Sequence, residues 1–192
     1  VEDRTWPTAI CIPQTMVEDI LVLNYGSDEA LEQIAEQADS LAAVLVEPVQ
    51  SRNPALVPIE FTRRLRELTS HHDIALVFDE TITGFRMHPG GAQALFGVQA
   101  DIAIYGKAAG GGMPLSLVAG TNRYLDAIDG GSWSYQDNSN PSDEVTFFGG
   151  TYVKHPLALA AAKATLSIIK EQGEALQNRI GELLHRLTEG AN

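Results

Sequence analysis

The sequence contains very little cysteine and is poor in positive charge. Cys11 is the only cysteine among 192 residues, so no disulfide can form within the chain, as is usual for cytoplasmic proteins. The 13 lysines and arginines are outnumbered by 25 aspartates and glutamates, which gives a formal net charge of -12. A chain with this charge repels nucleic acid and anionic membrane surfaces. The composition therefore favours a cytoplasmic location and disfavours nucleic acid and membranes as partners.

Long hydrophobic runs are also missing. No apolar stretch approaches the ~20 residues that a membrane-spanning helix requires. The residues that follow Val1 are not a basic and apolar leader, so we expect no secretory signal. Hydrophobic residues make up 44% of the chain and charged residues 20%, which is typical of a globular domain with a core. Strand and helix patterns lie close to both termini, so we expect the chain to be a segment of a longer protein.

Apolar runs alternate with helical patterns along the chain. The run Ile20 to Leu23 is followed by a helical pattern that Ser27 can cap. Three further runs, Ala42 to Val46, Ile74 to Phe78 and Ile102 to Tyr105, are typical of strands that are buried on both faces. This alternation predicts an α/β fold with a mainly parallel sheet and helices on both faces.

The last third of the chain has a different pattern. Between Asp129 and Phe148 the sequence is rich in Gly, Ser, Asn, Asp and Pro, which predicts a long loop. From Pro156 onward the apolar residues recur at helical spacing. We therefore expect a loop that serves a site or an interface, followed by amphipathic helices.

Three of the predicted strands end in polar residues, Glu47, Asp79 and Lys107. Ligands of open parallel sheets bind at the carboxyl ends of the strands. An amine and a carboxylate at neighbouring strand ends suit pyridoxal phosphate, whose aldehyde needs a lysine and whose ring nitrogen needs a carboxylate. The phosphate needs amide or hydroxyl donors, and Thr151 follows two glycines shortly before a helix.

Each of these residues also has a simpler interpretation. Lys107 precedes a glycine cluster and could be a surface lysine on a turn, and Thr151 could lie in a plain turn. Asp79 could cap a turn, or Asp79 or Glu80 could pair with Arg86. No HExxH or CxxC pattern is present, so no metal site is predicted, and the GxxxxGK[ST], GxGxxG and GxSxG motifs are absent.

Longer segments are more specific, and through them the chain resembles class III pyridoxal-phosphate-dependent aminotransferases. The segments are FDETITGFR (Phe78 to Arg86), GGAQALFGVQADIAIYGKAAGGGMP (Gly90 to Pro114) and FFGGTYVKHPLA (Phe147 to Ala158). Within that family the chain looks most like the glutamate-1-semialdehyde aminomutase branch, and there like amine-transferring domains of polyketide and nonribosomal peptide synthases. The resemblance implies the large domain of the aspartate-aminotransferase-like fold, fold type I.

The resemblance also implies a role for each site residue. Lys107 would hold pyridoxal 5'-phosphate as a Schiff base and move a proton between substrate and cofactor. Asp79 would pair with the pyridine nitrogen, and Thr81, where valine is usual in the family, would lie against the ring. Thr151 would reach the phosphate of the cofactor in the neighbouring subunit of a homodimer. Glu47 would lie at the edge of the pocket near the substrate.

Family members are considerably longer than this chain. Residues 1–192 would then be the central part of the cofactor-binding large domain, without the N-terminal segment and the small C-terminal domain, and inactive alone. The implied reaction is transamination from an amino-acid donor to a keto or aldehyde acceptor, which the synthase-like segments suggest is a beta-keto acyl thioester on a carrier protein. The alternatives are a glutamate-1-semialdehyde 2,1-aminomutase and a non-catalytic domain that is retained for dimerisation.

Overall fold

A four-stranded sheet forms the centre of the computed structural model, which describes residues 5–128, 131, 138, 145, 146 and 148–190. The strands β1 (Ala43–Val46), β2 (Ala75–Asp79) and β3 (Ile102–Tyr105) are parallel, and β4 (Leu117–Gly120) pairs antiparallel with β3. The predicted α/β class and mainly parallel sheet are confirmed. The loop predicted between Asp129 and Phe148 lies almost wholly outside the described residues.

Helices connect and flank these strands. Those in the described residues are α1 (Asp28–Glu36), α2 (Ile59–His71), α3 (Gly91–Phe96), α4 (Asn122–Leu125), α5 (Pro156–Gln172) and α6 (Glu174–Glu189). The predicted cap of α1 is present, because Ser27 Oγ accepts a hydrogen bond of 3.2 Å from Ala30 N. In this part of the chain, no helix is long and apolar enough to cross a bilayer.

The main core lies between one face of the sheet and the helices α1 to α3. Its buried side chains include Leu31, Ile34, Phe61, Leu65, Leu76, Phe78 and Phe96. Burial of a side chain of this size contributes roughly 1.5–3 kcal/mol. Since side chains alternate along a strand, the burial of Phe78 in this core directs its neighbour Asp79 to the opposite face of the sheet.

One predicted strand does not form. Residues 20–23 have no strand hydrogen bonding, and the side chains of Ile20 and Val22 are 51% and 71% exposed. The segment and β1 both line a cavity of about 430 Å³, and no strand ladder joins the two. Tyr25, which follows the segment, contacts the core instead. Its hydroxyl donates a hydrogen bond of 2.9 Å to Pro48 O, and its ring packs edge-on against Phe61 with 5.2 Å between the ring centroids.

Candidate active site at the carboxyl edge of the sheet

Asp79 and Lys107 lie at the same edge of the sheet. Asp79 is the last residue of β2 and is in register with Ile104 of β3. Lys107 follows β3 after a single residue, Gly106. Because β2 and β3 are parallel, both segments leave the sheet on the side where open α/β sheets bind ligands. The predicted amine and carboxylate therefore lie on neighbouring strand ends.

The backbone of Lys107 is strained. Its φ of 44° lies in the left-handed region, which costs a residue with a side chain about 1–2 kcal/mol. Lys107 begins a short 3₁₀ turn, Lys107–Gly110, that Gly111 caps, and residues 107–111 are called the lysine turn below. Helix α5 packs against this turn, and Ala109 is completely buried there. Strain of this kind persists only where the surrounding structure imposes it, and it is concentrated at functional sites.

The lysine turn borders an open cleft of about 490 Å³. The residues that line the cleft are Thr81, Gly106, Lys107, Met113, Pro114, Leu115 and Ser116. Thr81 approaches the lysine-bearing strand closely, because a side chain at Gly106 would come within 3.3 Å of Thr81 Cγ2. The lining thus combines an amine and two hydroxyls with apolar surface, as small-molecule sites commonly do.

Asp79 is linked to this cleft through Thr81. The Oδ1 atom of Asp79 accepts a hydrogen bond of 2.9 Å from Thr81 N, and Asp79 itself does not line the cleft. No salt bridge joins Asp79 to Lys107 among the described residues. In the same part of the chain, Asp79 Oδ2 and Lys107 Nζ have no hydrogen-bonding partner. Each of these two atoms can therefore form a further hydrogen bond.

Glu80 is buried and hydrogen-bonded to the protein, although its place next to Asp79 in the sequence also allowed an ion pair with Arg86. Its side chain is completely buried and accepts hydrogen bonds from Thr83 Oγ1 at 2.7 Å, Ala92 N at 2.8 Å and Gln93 N at 3.1 Å. A salt bridge of Arg86 with Asp79 or Glu80 does not occur in the described residues. Nor do these residues contain a cluster of His, Cys, Asp and Glu side chains that could hold a metal ion.

Glu47 lies apart from the lysine. It follows β1, which is separated from β3 by β2, so Glu47 leaves the sheet about 10 Å from β3 at the usual spacing between strands. Its Oε1 atom accepts a hydrogen bond of 2.9 Å from Ser51 N, and the side chain lines the cavity next to β1 rather than the cleft at Lys107. The described residues therefore do not bring Glu47 into one cavity with Lys107.

Thr151 is exposed in a turn that leads into α5. The helix begins at Pro156, and the His155 side chain accepts a hydrogen bond from Ala158 N at 3.4 Å. Because α5 packs against the lysine turn, the Thr151 turn and Lys107 belong to one structural unit. The exposure of Thr151 leaves its hydroxyl accessible to a group outside this chain.

Backbone strain coincides with the three segments that the sequence analysis singled out. Four residues other than glycine have a positive φ in the part of the chain that the structure describes, namely Asp73, Phe85, Lys107 and Lys154. Phe85 lies between Asp79 and α3, Lys107 begins the lysine turn, and Lys154 lies in the Thr151 turn. Three of the four thus fall in the candidate site or next to it.

Comparison with known proteins gives a consistent family. The model of the family described as "Aminotransferase class-III" matches residues 12–191. The "Glutamate-1-semialdehyde 2,1-aminomutase" of Clostridium novyi is 36% identical over 97% of this chain and 40% of its own length. The chain thus spans about two fifths of the length of this curated relative.

Solved structures agree with this result. An omega-transaminase from Sphaerobacter thermophilus is 29% identical, with a TM-score of 0.73 over 85% of this chain and 35% of that one. A structure described as "Transaminase with PLP bound" is 28% identical, with a TM-score of 0.72 over 88% of this chain and 39% of that one. The predicted cofactor is confirmed at the level of the family, whose enzymes use pyridoxal phosphate. From residue 12 to residue 191, this chain belongs to the class III aminotransferases.

Proposed function

We propose that this chain is the cofactor-binding core of a pyridoxal-phosphate enzyme that transfers an amino group. One observation carries the proposal: an exposed lysine on a strained turn lies next to the strand that ends in Asp79, and Lys107 Nζ and Asp79 Oδ2 have no hydrogen-bonding partner in the described residues. Family membership makes pyridoxal phosphate the ligand to consider first.

The residues present fit this cofactor chemically. Lys107 supplies the amine that would hold the aldehyde and then move a proton to and from the substrate carbon. The unpaired oxygen of Asp79 would accept a hydrogen bond from the protonated ring nitrogen, and Thr81 would contact the ring. When bound, pyridoxal phosphate supplies an aromatic ring that withdraws electrons from the substrate. Glu47 would lie at the edge of the pocket near the substrate, although its side chain lines the cavity next to β1 in this chain.

The extent of the chain and its assembly are part of the proposal. Residues 1–192 would form the central part of a large domain whose N-terminal segment and small C-terminal domain are not in this chain, as its coverage of the relatives suggests. Thr151, exposed ahead of α5, would contact the phosphate of the cofactor in the second subunit of a homodimer. The single cysteine is consistent with a cytoplasmic enzyme.

Chemical trapping tests the proposal directly. Borohydride reduction of the enzyme loaded with pyridoxal phosphate should attach the cofactor to Lys107, as peptide mass spectrometry would detect. Lys107→Ala should remove both the visible absorbance of the bound cofactor and turnover, whereas Lys170→Ala, an exposed lysine near the end of α5, should change neither. Attachment to another lysine, or an unchanged spectrum in Lys107→Ala, would refute the assignment.

For the acceptor, we propose a beta-keto acyl thioester on a carrier protein. The support is the resemblance to synthase domains, together with an open cleft and an exposed Lys107 that a long tethered substrate could reach. The second candidate is a glutamate-1-semialdehyde 2,1-aminomutase, which the curated relatives favour. Incubation with an amino donor and either beta-keto acyl carrier protein or glutamate 1-semialdehyde, followed by mass spectrometry, would separate the two. A protein that binds no pyridoxal phosphate would instead indicate a non-catalytic dimerisation domain.

A further inference from the structure

The carboxylate of Glu80 forms the centre of a buried hydrogen-bond network below the candidate site. Its three donors, Thr83 Oγ1, Ala92 N and Gln93 N, come from the loop that follows β2 and from the first turn of α3. The backbone of Glu80 is held as well, because its N–H donates to Ile104 O at 2.8 Å and its carbonyl accepts from Gly84 N at 2.8 Å. The residue next to Asp79 is therefore fixed through both its main chain and its side chain.

A buried carboxylate is costly unless hydrogen bonds compensate it. Here the compensation depends on local shape as well as on donors. Gly91 has a φ of 67°, and a Cβ atom at that position would lie 2.5 Å from Glu80 Oε2. The start of α3 thus leaves just enough room for the Glu80 carboxylate. An apolar side chain in this space would leave the N–H groups of Ala92 and Gln93 without an acceptor, so it is the carboxylate that ties the end of β2 to α3.

The same network reaches β3, the strand that carries the lysine. Gln93, whose N–H binds Glu80, uses its side chain to donate from Nε2 to Tyr105 Oη at 2.9 Å. Tyr105 lies two residues before Lys107, and its ring packs against Gly84 and Phe85 in the loop after β2. Burial raises the pKa of Tyr105, and the negative charge of Glu80 raises it further. The charge of Glu80 therefore acts on Tyr105, the last residue of β3.

We propose that Glu80 is a positioning residue that holds Asp79 and Lys107 at one fixed separation. Its carboxylate joins the end of β2 to α3, and α3 joins the end of β3 through Gln93 and Tyr105. Glu80 itself is completely buried and cannot contact a ligand in the cleft, so it acts only through Asp79 and Lys107. This inference depends on the proposed function, which gives Asp79 and Lys107 their roles at opposite ends of one ring.

A double-mutant cycle in the holoenzyme tests the inference. Glu80→Gln keeps the shape of the side chain but turns an NH₂ group toward backbone N–H donors. We expect it to lower kcat about 10- to 100-fold, the range for a misplacement of the order of 1 Å, with KM unchanged within about twofold. In an Asp79→Asn background the same change should lower kcat less than about threefold, because the separation between Lys107 and position 79 matters less once the Asp79 carboxylate is gone.

The assay uses the visible absorbance of bound pyridoxal phosphate. The maximal rate of its decay after mixing with L-glutamate, or with L-alanine if glutamate does not react, is the rate of the donor half of the reaction. The effect expected on kcat is measured in this rate. Its pH dependence without donor gives a second readout, since a displaced Asp79 no longer keeps the ring nitrogen protonated. Glu80→Gln should therefore shift this pH dependence toward that of Asp79→Asn. An equal loss of kcat in both backgrounds, or an unshifted pH dependence, would overturn the inference.

A milder pair of variants covers the case in which Glu80→Gln does not fold. Thr83→Val removes one donor to Glu80 and keeps its charge, whereas Thr69→Val removes a hydroxyl that is equally buried but bonds to Arg66 O within α2. Thr83→Val should lower kcat by about threefold to tenfold, in proportion to a partial loss of positioning, and Thr69→Val should not lower it. Equal kcat values for the two variants would refute the role of Glu80. Failure of the unmodified protein to bind pyridoxal phosphate would instead refute the proposed function.

Discussion

Replacement of Gly111 by alanine would test whether helix α5 sets the position of the lysine turn. Gly111 ends that turn with a φ of 58°, and its backbone lies directly against α5. A Cβ atom here would lie 3.0 Å from Ala161 O and would overlap the hydroxyl of Thr165. An ordinary contact begins at 3.4 Å, so the Thr165 hydroxyl must move and the turn and the helix must give way by a few tenths of an ångström.

The structure supplies a matched control in the next residue. Gly112 also has a positive φ, 90°, but a Cβ atom at that position would have no neighbour within 4 Å. Gly112→Ala therefore carries only the backbone cost, about 1–2 kcal/mol. Gly111→Ala carries a similar backbone cost plus about 1–3 kcal/mol for overpacking against α5. The two variants should differ in free energy of unfolding by this second amount.

Function should separate the two variants further. A displacement of the order of 1 Å in a residue that touches the reacting atoms can lower turnover about 100-fold. We expect Gly111→Ala to lose turnover on that scale and Gly112→Ala to lose much less, as measured with the absorbance assay and urea unfolding of the holoenzyme. The additional change Thr165→Ala should restore part of the stability, because it removes the nearest obstacle. Equal stability and equal turnover in Gly111→Ala and Gly112→Ala would refute the reasoning.

Three further predictions concern the core, a partly buried ion pair and pH. Leu65→Ala, at a position with 0% exposure, should lower the free energy of unfolding by about 2–5 kcal/mol in urea titrations, whereas Leu187→Ala, 70% exposed, should change it little. Asp101→Asn should cost about 1–3 kcal/mol, because Oδ2 accepts from both Arg66 Nη1 and Leu76 N at 2.8 Å, and the exposed Asp39 provides a control through Asp39→Asn. Burial raises the pKa of Tyr25 and of Tyr105 above the ordinary value of 10.0, so their contribution to stability is complete below that pH and is lost as the pH rises through the higher folded value. The urea concentration at the unfolding midpoint should accordingly decrease as the pH is raised above about 10, and an increase there would contradict this assignment.

Local patterns were sufficient to predict much of the fold and to select the main candidate site residues. The strands β1 to β3 were predicted because continuous apolar runs of this length have few alternatives once polar residues end them. Asp79 and Lys107 follow from the same observation, since the carboxyl end of a buried parallel strand is where a polar side chain becomes accessible. The family segments then specified which chemistry those two residues would serve.

Contacts between distant residues decided the rest. Strand β4 was not predicted, because its local sequence does not by itself indicate a strand, and these residues form one only by pairing with β3. Residues 20–23 have a strand-like pattern, but they form no ladder with a strand in the described part of the chain. Glu47 lines a different cavity from Lys107 because β2 lies between their strands, and strand order is not encoded by any local run of residues.

Glu80 illustrates the limit most clearly. In the sequence it is one half of an Asp-Glu pair, and nothing nearby distinguishes a ligand-facing carboxylate from a buried one. By itself, the sequence determined that polar residues end the strands and that one of them is a lysine beside glycines. Only the tertiary structure assigned Asp79 to the open face of the sheet and Glu80 to the core. That division depends on side-chain alternation along β2 and on the packing of α3, which donates two N–H groups to the buried carboxylate from residues twelve and thirteen positions later in the chain.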